Sequence, residues 1–309
     1  MIEVQALSKT YGRTKAVDDV SFDVVEGRVT GFLGPNGAGK STTMRMIMGL
    51  DHPTSGTVRI NNSRYSDLRQ PLRTVGALLE AKAFHPGRSA RNYLKALAVS
   101  NRIPISRVDE VLDIVGLTSV ANRRTKSLSL GMGQRLGIAA ALIGDPQILL
   151  FDEPTNGLDP EGILWVRKLL RGFASEGRTV FVSSHLMGEM ALTADHLVVI
   201  GKGRLIADAE MNAFIAGSSK QTTLVRTPQA EVFAATLAGR GGTVSTEPDG
   251  SLLVDALTTA EIGEAAASTG VILHELTPQV VSLEEAFMEM TQADVEFRAT
   301  PKEASLIGK

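Results

Sequence analysis

The chain has 309 residues, enough for one large domain and a smaller one. Apolar residues make up 43% and charged residues 21%, a globular balance that excludes intrinsic disorder. With 32 basic and 34 acidic residues the net charge is −2, so nucleic acid is not the expected partner, and the lack of cysteine excludes disulfides and Cys-ligated metals and fits the cytoplasm.

Met1-Ile2-Glu3-Val4 opens in a strand-like pattern, without the basic and apolar regions of a signal peptide. No window reaches the roughly 18 consecutive apolar residues of a spanning helix. The most apolar stretch, Leu136 to Leu150, is broken by Gly144-Asp145-Pro146. If the chain works at a membrane, something else holds it there. The first third reads as short strands and turns leading into a helix. Val29–Leu33 is a buried-strand run, followed by a glycine-rich turn and a helix on which Met44, Ile47 and Met48 recur until Gly49. Residues from about Leu79 to Ser127 read as mainly helical, with apolar faces at Tyr93, Leu94, Leu97 and Ala98 and at Val111, Leu112 and Val115. A helix from Gln134, a strand at Ile148–Phe151, a helix near Ile163–Phe173 and a strand at Thr179–Ser183 follow. A hairpin, His196–Ile200 and Arg204–Ala207, turns at Gly201-Lys202-Gly203. This alternation predicts an α/β domain over residues 1–218 with a mainly parallel sheet.

Around Gly217-Ser218-Ser219 the composition loosens, which marks a boundary. Beyond it the pattern is strand Thr222–Arg226, helix Glu231–Leu237, and strands Thr243–Thr246 and Leu252–Asp255 about the Pro248-Asp249-Gly250 turn. Helix Ala260–Ser268, strand Val271–Leu276 and helix Leu283–Thr291 complete it. The β-α-β-β-α-β order predicts a small α+β, ferredoxin-like domain over 219–294. Residues 295–309 are expected to be a loose tail.

Three segments carry chemistry. Gly34-Pro35-Asn36-Gly37-Ala38-Gly39-Lys40-Ser41 fills G-x-x-x-x-G-K-[ST] between a strand and a helix. Its glycines let backbone N–H groups curl around phosphate oxygens, and the helix start adds its positive end. Asn36, Gly37, Ala38, Gly39, Lys40, Ser41 and Thr42 are the expected nucleotide contacts, with Lys40 between the β- and γ-phosphates and the Ser41 hydroxyl on Mg²⁺. Ile148–Phe151 runs into Asp152-Glu153 at a strand end, where α/β sheets place their chemistry. Asp152 is the expected second Mg²⁺ ligand, through water. Glu153 is the carboxylate that polarises the attacking water. His185 follows Thr179–Ser184 at another strand end, where it can bond the γ-phosphate and orient Glu153. His52, His85, His196 and His274 read as surface or packing residues.

With these motifs in place the sequence strongly resembles the ABC ATPase family over roughly residues 2–216. Leu128-Ser129-Leu130-Gly131-Met132-Gly133-Gln134-Arg135 is similar to its signature segment, and Pro154–Pro160 resembles its D-loop. Tyr11 stands where the family stacks an aromatic on adenine. The resemblance implies a P-loop ATPase domain with a helical subdomain. It further implies a homodimer meeting head to tail, with ATP and Mg²⁺ sandwiched between Lys40 and its loop in one copy and Ser129 and Gly131 of the other. Asp159 would report across that interface. Leu130 and Met132 depart from the commonest signature, L-S-G-G-Q. Glu80 stands where the family usually has glutamine; a carboxylate there can ligate Mg²⁺ but adds negative charge near the γ-phosphate. Both departures, and a small C-terminal domain, resemble the drug- and antibiotic-resistance exporter branch of the bacitracin and daunorubicin type. The implied partner is an integral-membrane permease in a separate chain, which would hold the ATPase on the cytoplasmic face of the membrane. A ribosome- or DNA-end-acting ABC protein is the rival, disfavoured by a single ATPase domain and the lack of a long heptad run. For the C-terminal domain a dimer-stabilising lid is preferred to a small-molecule sensor. Leu283, Phe287 and Met290 are taken as core or interface residues.

Overall fold

The computed structural model describes residues 1–80, 83–218, 222–279 and 283. They fall into two compact units, Met1–Met211 and a second beginning at Asn212.

The first unit opens with β1 (Ile2–Tyr11) and β2 (Thr14–Val24), a long antiparallel pair. Next come β3 (Val29–Leu33), α1 (Lys40–Ile47), β4 (Ser55–Ile60), the short α2 (Pro71–Thr74) and β5 (Val75–Leu78). A helical stretch follows: α3 (Ala90–Ser100), α4 (Ser106–Ile114) and α5 (Leu130–Leu142). The chain then alternates through β6 (Ile148–Asp152), α6 (Pro160–Ser175), β7 (Thr179–Ser184), α7 (Met187–Ala191), β8 (His196–Gly201) and β9 (Arg204–Glu210), and α8 (Met211–Ser218) carries it into the second unit. β4 pairs with β1 on its other edge, making a three-stranded antiparallel sheet.

The main sheet has the order β5-β6-β7-β3-β8-β9, parallel except for β9. Every residue of β3, β7 and β8 is buried, as expected of strands covered on both faces. Phe22 of the antiparallel sheet meets Phe32 and Phe181 of the parallel one, with ring centroids 5.1 to 5.6 Å apart. Phe32 and Phe181 are fully buried, and burial of a side chain of this size contributes about 1.5–3 kcal/mol. Since β6, β7 and β3 are neighbours and parallel, their C-terminal ends lie side by side. That places Asp152-Glu153, His185 and the glycine-rich loop on one edge.

Helix starts are capped by side chains. Ser89 accepts from the N–H of Asn92, Ser129 from Met132 and Asp159 from Gly162. α5 begins at Leu130, four residues before the expected start at Gln134. Its cap and its packing on β5 override the weak helix propensity of Gly131 and Gly133.

In the second unit β10 (Thr222–Arg226), α9 (Ala230–Gly239), β11 (Thr243–Thr246), β12 (Leu252–Asp255), α10 (Thr259–Thr269) and β13 (Glu275–Gln279) form an antiparallel sheet of order β11-β12-β10-β13. This is the ferredoxin-like arrangement. α10 starts on a full capping box, Thr258 with Glu261. The last strand differs from expectation: Val271 and Leu273 pack on the core from an irregular segment, and pairing with β10 starts only at Glu275. Leu283 is buried. The rest of the expected Leu283–Thr291 helix, with Phe287 and Met290, and the tail 295–309 lie outside the described residues. Among the described residues no helix is long and apolar enough to cross a membrane.

Candidate active site

The glycine-rich loop leaves β3 and enters α1 with its backbone prepared for an anion. Gly39 is the N-cap at φ +104°, a conformation that side chains avoid, and a Cβ there would lie 2.5 Å from the carbonyl oxygen of Ala16. The N–H groups of Lys40, Ser41 and Thr42 in the first helical turn have no acceptor among the described residues. They face a cleft of about 320 Å³ lined by Ala16, the loop from Pro35 to Thr42, Glu153, Asn156 and His185. Free donors at a helix start around an open cleft fit a polyphosphate.

Lys40 is buried and its ammonium donates to the carbonyl of Gly34 at 2.6 Å and of Pro35 at 3.3 Å. Burial pushes its pKa below the ordinary lysine value, while the charges of Glu153 and Asp152 push it back up. Glu153 presents its two oxygens to different partners. Oε1 lies 3.9 Å from Lys40 Nζ and Oε2 lies 2.6 Å from His185 Nδ1. The residue sits at φ +50°, in the left-handed region, although it is not glycine. Asp152 Oδ1 accepts from the Ser183 hydroxyl at 2.5 Å. Ser41, Asp152 and Glu80 line a neighbouring groove of about 470 Å³ that also takes in Arg45, Phe84 and Tyr93.

No group of three His, Asp or Glu able to hold a metal occurs among the described residues. Mg²⁺ is usually held by one or two protein oxygens and completed by phosphates and water. The Ser41 hydroxyl and the Asp152 carboxylate, beside the phosphate cleft, fit such a role.

The structure therefore brings Asn36, Gly37, Ala38, Gly39, Lys40, Ser41, Thr42, Glu153 and His185 around one cleft, with Asp152 and Glu80 adjoining. The other expected residues do not line it. Tyr11 is 47% exposed at the end of β1, with its hydroxyl on Asp51 Oδ2 at 3.0 Å and the Lys9 ammonium 5.0 Å above its ring. Asp51 is paired in turn with Arg45, whose guanidinium holds its carboxyl below the usual range. Ser129 caps α5 beside a pocket with Phe84, Lys126 and Leu128, Gly131 lies in the first turn, and Asp159 caps α6. Asn156 in the cleft wall and Ser183 beneath Asp152 were not singled out from sequence. His196, expected at the surface or in packing, is buried with its ring nitrogens on Asp208, at 2.5 Å, and on Glu210, which also meets Arg28.

Comparisons with known proteins agree with this geometry. Residues 17–156 match a family described as ABC transporter, and residues 221–284 match a domain of unknown function. The bacitracin transport ATP-binding protein BcrA of Bacillus licheniformis is 41% identical over 214 residues, 67% of this chain and 69% of that protein. The lantibiotic transport ATP-binding protein SrtF of Streptococcus pyogenes is 39% identical over 210 residues, 68% of this chain and 91% of that protein. Among solved structures, the dimeric post-hydrolysis ATP-binding cassette MJ0796 bound to ADP and Pi superposes with a TM-score of 0.61. It is 27% identical and covers 68% of this chain and 99% of that one.

Proposed function

The chain belongs to the ABC transporter family as an ATP-binding, ATP-hydrolysing subunit, and from that premise we propose that it works as a homodimer energising export through a separate membrane permease. The exporter is of the antibiotic-resistance branch, the reading favoured by the relatives named for bacitracin and lantibiotic transport. The ATPase is held on the cytoplasmic face of the membrane by that permease. The observation that carries the dimer is the division of the site within one chain. Lys40, Glu153 and His185 share a cleft, while Ser129, Gly131 and Asp159 are not among the residues that line it. A second copy, facing head to tail, supplies the missing wall: the α5 N-terminus with Ser129 and Gly131 gives N–H donors for the γ-phosphate.

In that closed dimer Tyr11 stacks on adenine, and the loop from Asn36 to Thr42 with Lys40 holds the phosphates. Ser41 and Asp152, which line a groove together with Glu80, would hold Mg²⁺, which would supply positive charge to the β- and γ-phosphates. Glu153 accepts the proton of the attacking water. His185, hydrogen-bonded to Glu153 Oε2, fixes the direction in which that carboxylate points. The groove lined by Glu80, Phe84 and Tyr93 receives a cytoplasmic helix of the permease, so that closure and reopening are passed to the membrane.

The test compares the wild-type chain with Glu153→Gln. Steady ATP turnover in the first, its loss in the second, and a stable dimer of the variant on size-exclusion chromatography in Mg-ATP are the expected results. Wild-type turnover in the variant refutes the role given to Glu153. A variant that binds ATP yet stays monomeric refutes the head-to-tail sandwich.

A further inference from the structure

Gln134 is 1% exposed, the kind of site where apolar side chains are the norm. Its amide nitrogen donates to the backbone carbonyl of Glu153 at 3.0 Å, across 19 residues of sequence. Its amide oxygen is buried without a partner among the described residues. Such an oxygen costs stability, and a methionine or leucine of similar volume would avoid that cost. The carbonyl it reaches does not depend on it, since Glu153 O also accepts from the N–H of Asn156 at 3.2 Å. Nothing in the packing therefore calls for an amide at this position.

The opposite side of the same peptide is held as well. Glu153 N donates to the Ser183 hydroxyl at 3.0 Å, and that hydroxyl donates onward to Asp152 Oδ1. Ser183 is fully buried in β7. The residue gripped between these two side chains is the one at φ +50°, a conformation that costs a non-glycine residue free energy and persists only where its surroundings enforce it. Three features thus converge on one peptide: a strained backbone, a buried hydroxyl on its N–H and a buried, partly satisfied amide on its C=O.

We propose that Gln134 and Ser183 are positioning residues that lock the Glu153 backbone in its left-handed turn and so aim its carboxylate between Lys40 and His185. The proposal rests on the reading of Glu153 as the carboxylate that activates water. It also gives α5 a second task. Ser129 at the start of that helix serves the nucleotide bound by the other copy, and Gln134, just over one turn on, touches the Glu153 of its own site. The helix thereby ties closure at one nucleotide to the carboxylate that serves the other.

The experiment measures kcat, KM for ATP and melting temperature on the full chain with Gln134→Met, Ser183→Ala, Ser183→Thr and Glu153→Gln. A loosened carboxylate lowers kcat roughly tenfold to a hundredfold in Gln134→Met and Ser183→Ala, with KM within about twofold of wild type. Gln134→Met melts at or above the wild-type temperature, because the orphan oxygen has gone. Ser183→Thr, which keeps the hydroxyl, recovers most of the turnover lost in Ser183→Ala. Wild-type kcat in both Gln134→Met and Ser183→Ala, while Glu153→Gln is inactive, overturns the clamp and leaves the role of Glu153 standing. A parallel drop in kcat and melting temperature in Gln134→Met also overturns it, making the amide a structural element. An active Glu153→Gln variant overturns both readings.

Discussion

Replacing Lys40 by methionine separates what the phosphate cleft needs from what the fold needs. Lys40 is 6% exposed. Its desolvation is offset by two carbonyl contacts and by Glu153 at 3.9 Å. The pKa of Lys40 is nevertheless lowered, so burial outweighs the attraction of the two carboxylates. A methionine of similar length removes the desolvation cost that the lowered pKa reflects, while leaving the Gly34 carbonyl without its donor and Glu153 without its cation. For a unit of this size each kcal/mol raises the melting temperature by about 2–4 °C. The nucleotide-free variant is therefore expected to melt at or above the wild-type temperature. Mg-ATP has the reverse consequence. At about a hundredfold excess over Kd it stabilises the wild type by about 2.7 kcal/mol, a rise of about 5–10 °C, and the variant shows none of it. The pH dependence has a definite sign. A lowered folded-state pKa means the unfolded chain binds more protons in the alkaline window, so wild-type stability gains as pH climbs through the depressed Lys40 value towards the ordinary one, and the variant loses that gain. Differential scanning fluorimetry with and without Mg-ATP, repeated across alkaline pH, decides it. A nucleotide-free variant that melts clearly below wild type, or one that keeps the ATP shift, refutes the reasoning.

Ser129→Ala removes the α5 cap and costs about 1 kcal/mol in a urea melt without nucleotide, separately from any loss of turnover. Gly76→Ala puts a Cβ 2.0 Å from the Ala141 carbonyl oxygen, where α5 crosses β5; the two must separate, at about 1–3 kcal/mol in the same assay. Asp51→Asn loses a carboxylate that Arg45 first, and Tyr11 second, hold below the usual range. That stabilisation is present at neutral pH and fades as pH falls through the depressed pKa, so melting temperatures of the variant vary less with pH on the acid side.

How much could be read in advance follows from how local each cause is. The loop from Gly34 to Ser41 was legible because its chemistry is its backbone: glycines, a lysine and a helix start within eight residues. Asp152-Glu153 and His185 were legible because each ends a run of buried-strand residues, and the parallel sheet alone brings those ends together. The start of α5 was hidden because Gly131 and Gly133 argue locally against a helix that Ser129 and β5 enforce. The partners of His196 were out of view because its carboxylates arrive 12 and 14 residues later, through the register of an antiparallel hairpin that pairs it with Glu210. The Gln134 and Ser183 contacts lay furthest from view. They bind backbone atoms of Glu153, and a bond to a backbone atom leaves no mark on the identity of the residue that receives it. What sequence does expose at such places is the anomaly on the donor side, an amide or hydroxyl in a stretch otherwise made for the core. In Leu136–Leu142 and Thr179–Val182 the surroundings are apolar, and the polar residues beside them, Gln134 and Ser183, are the two that reach the strained turn. A polar side chain buried at a cost to stability asks which backbone it holds, and here both point to the same peptide.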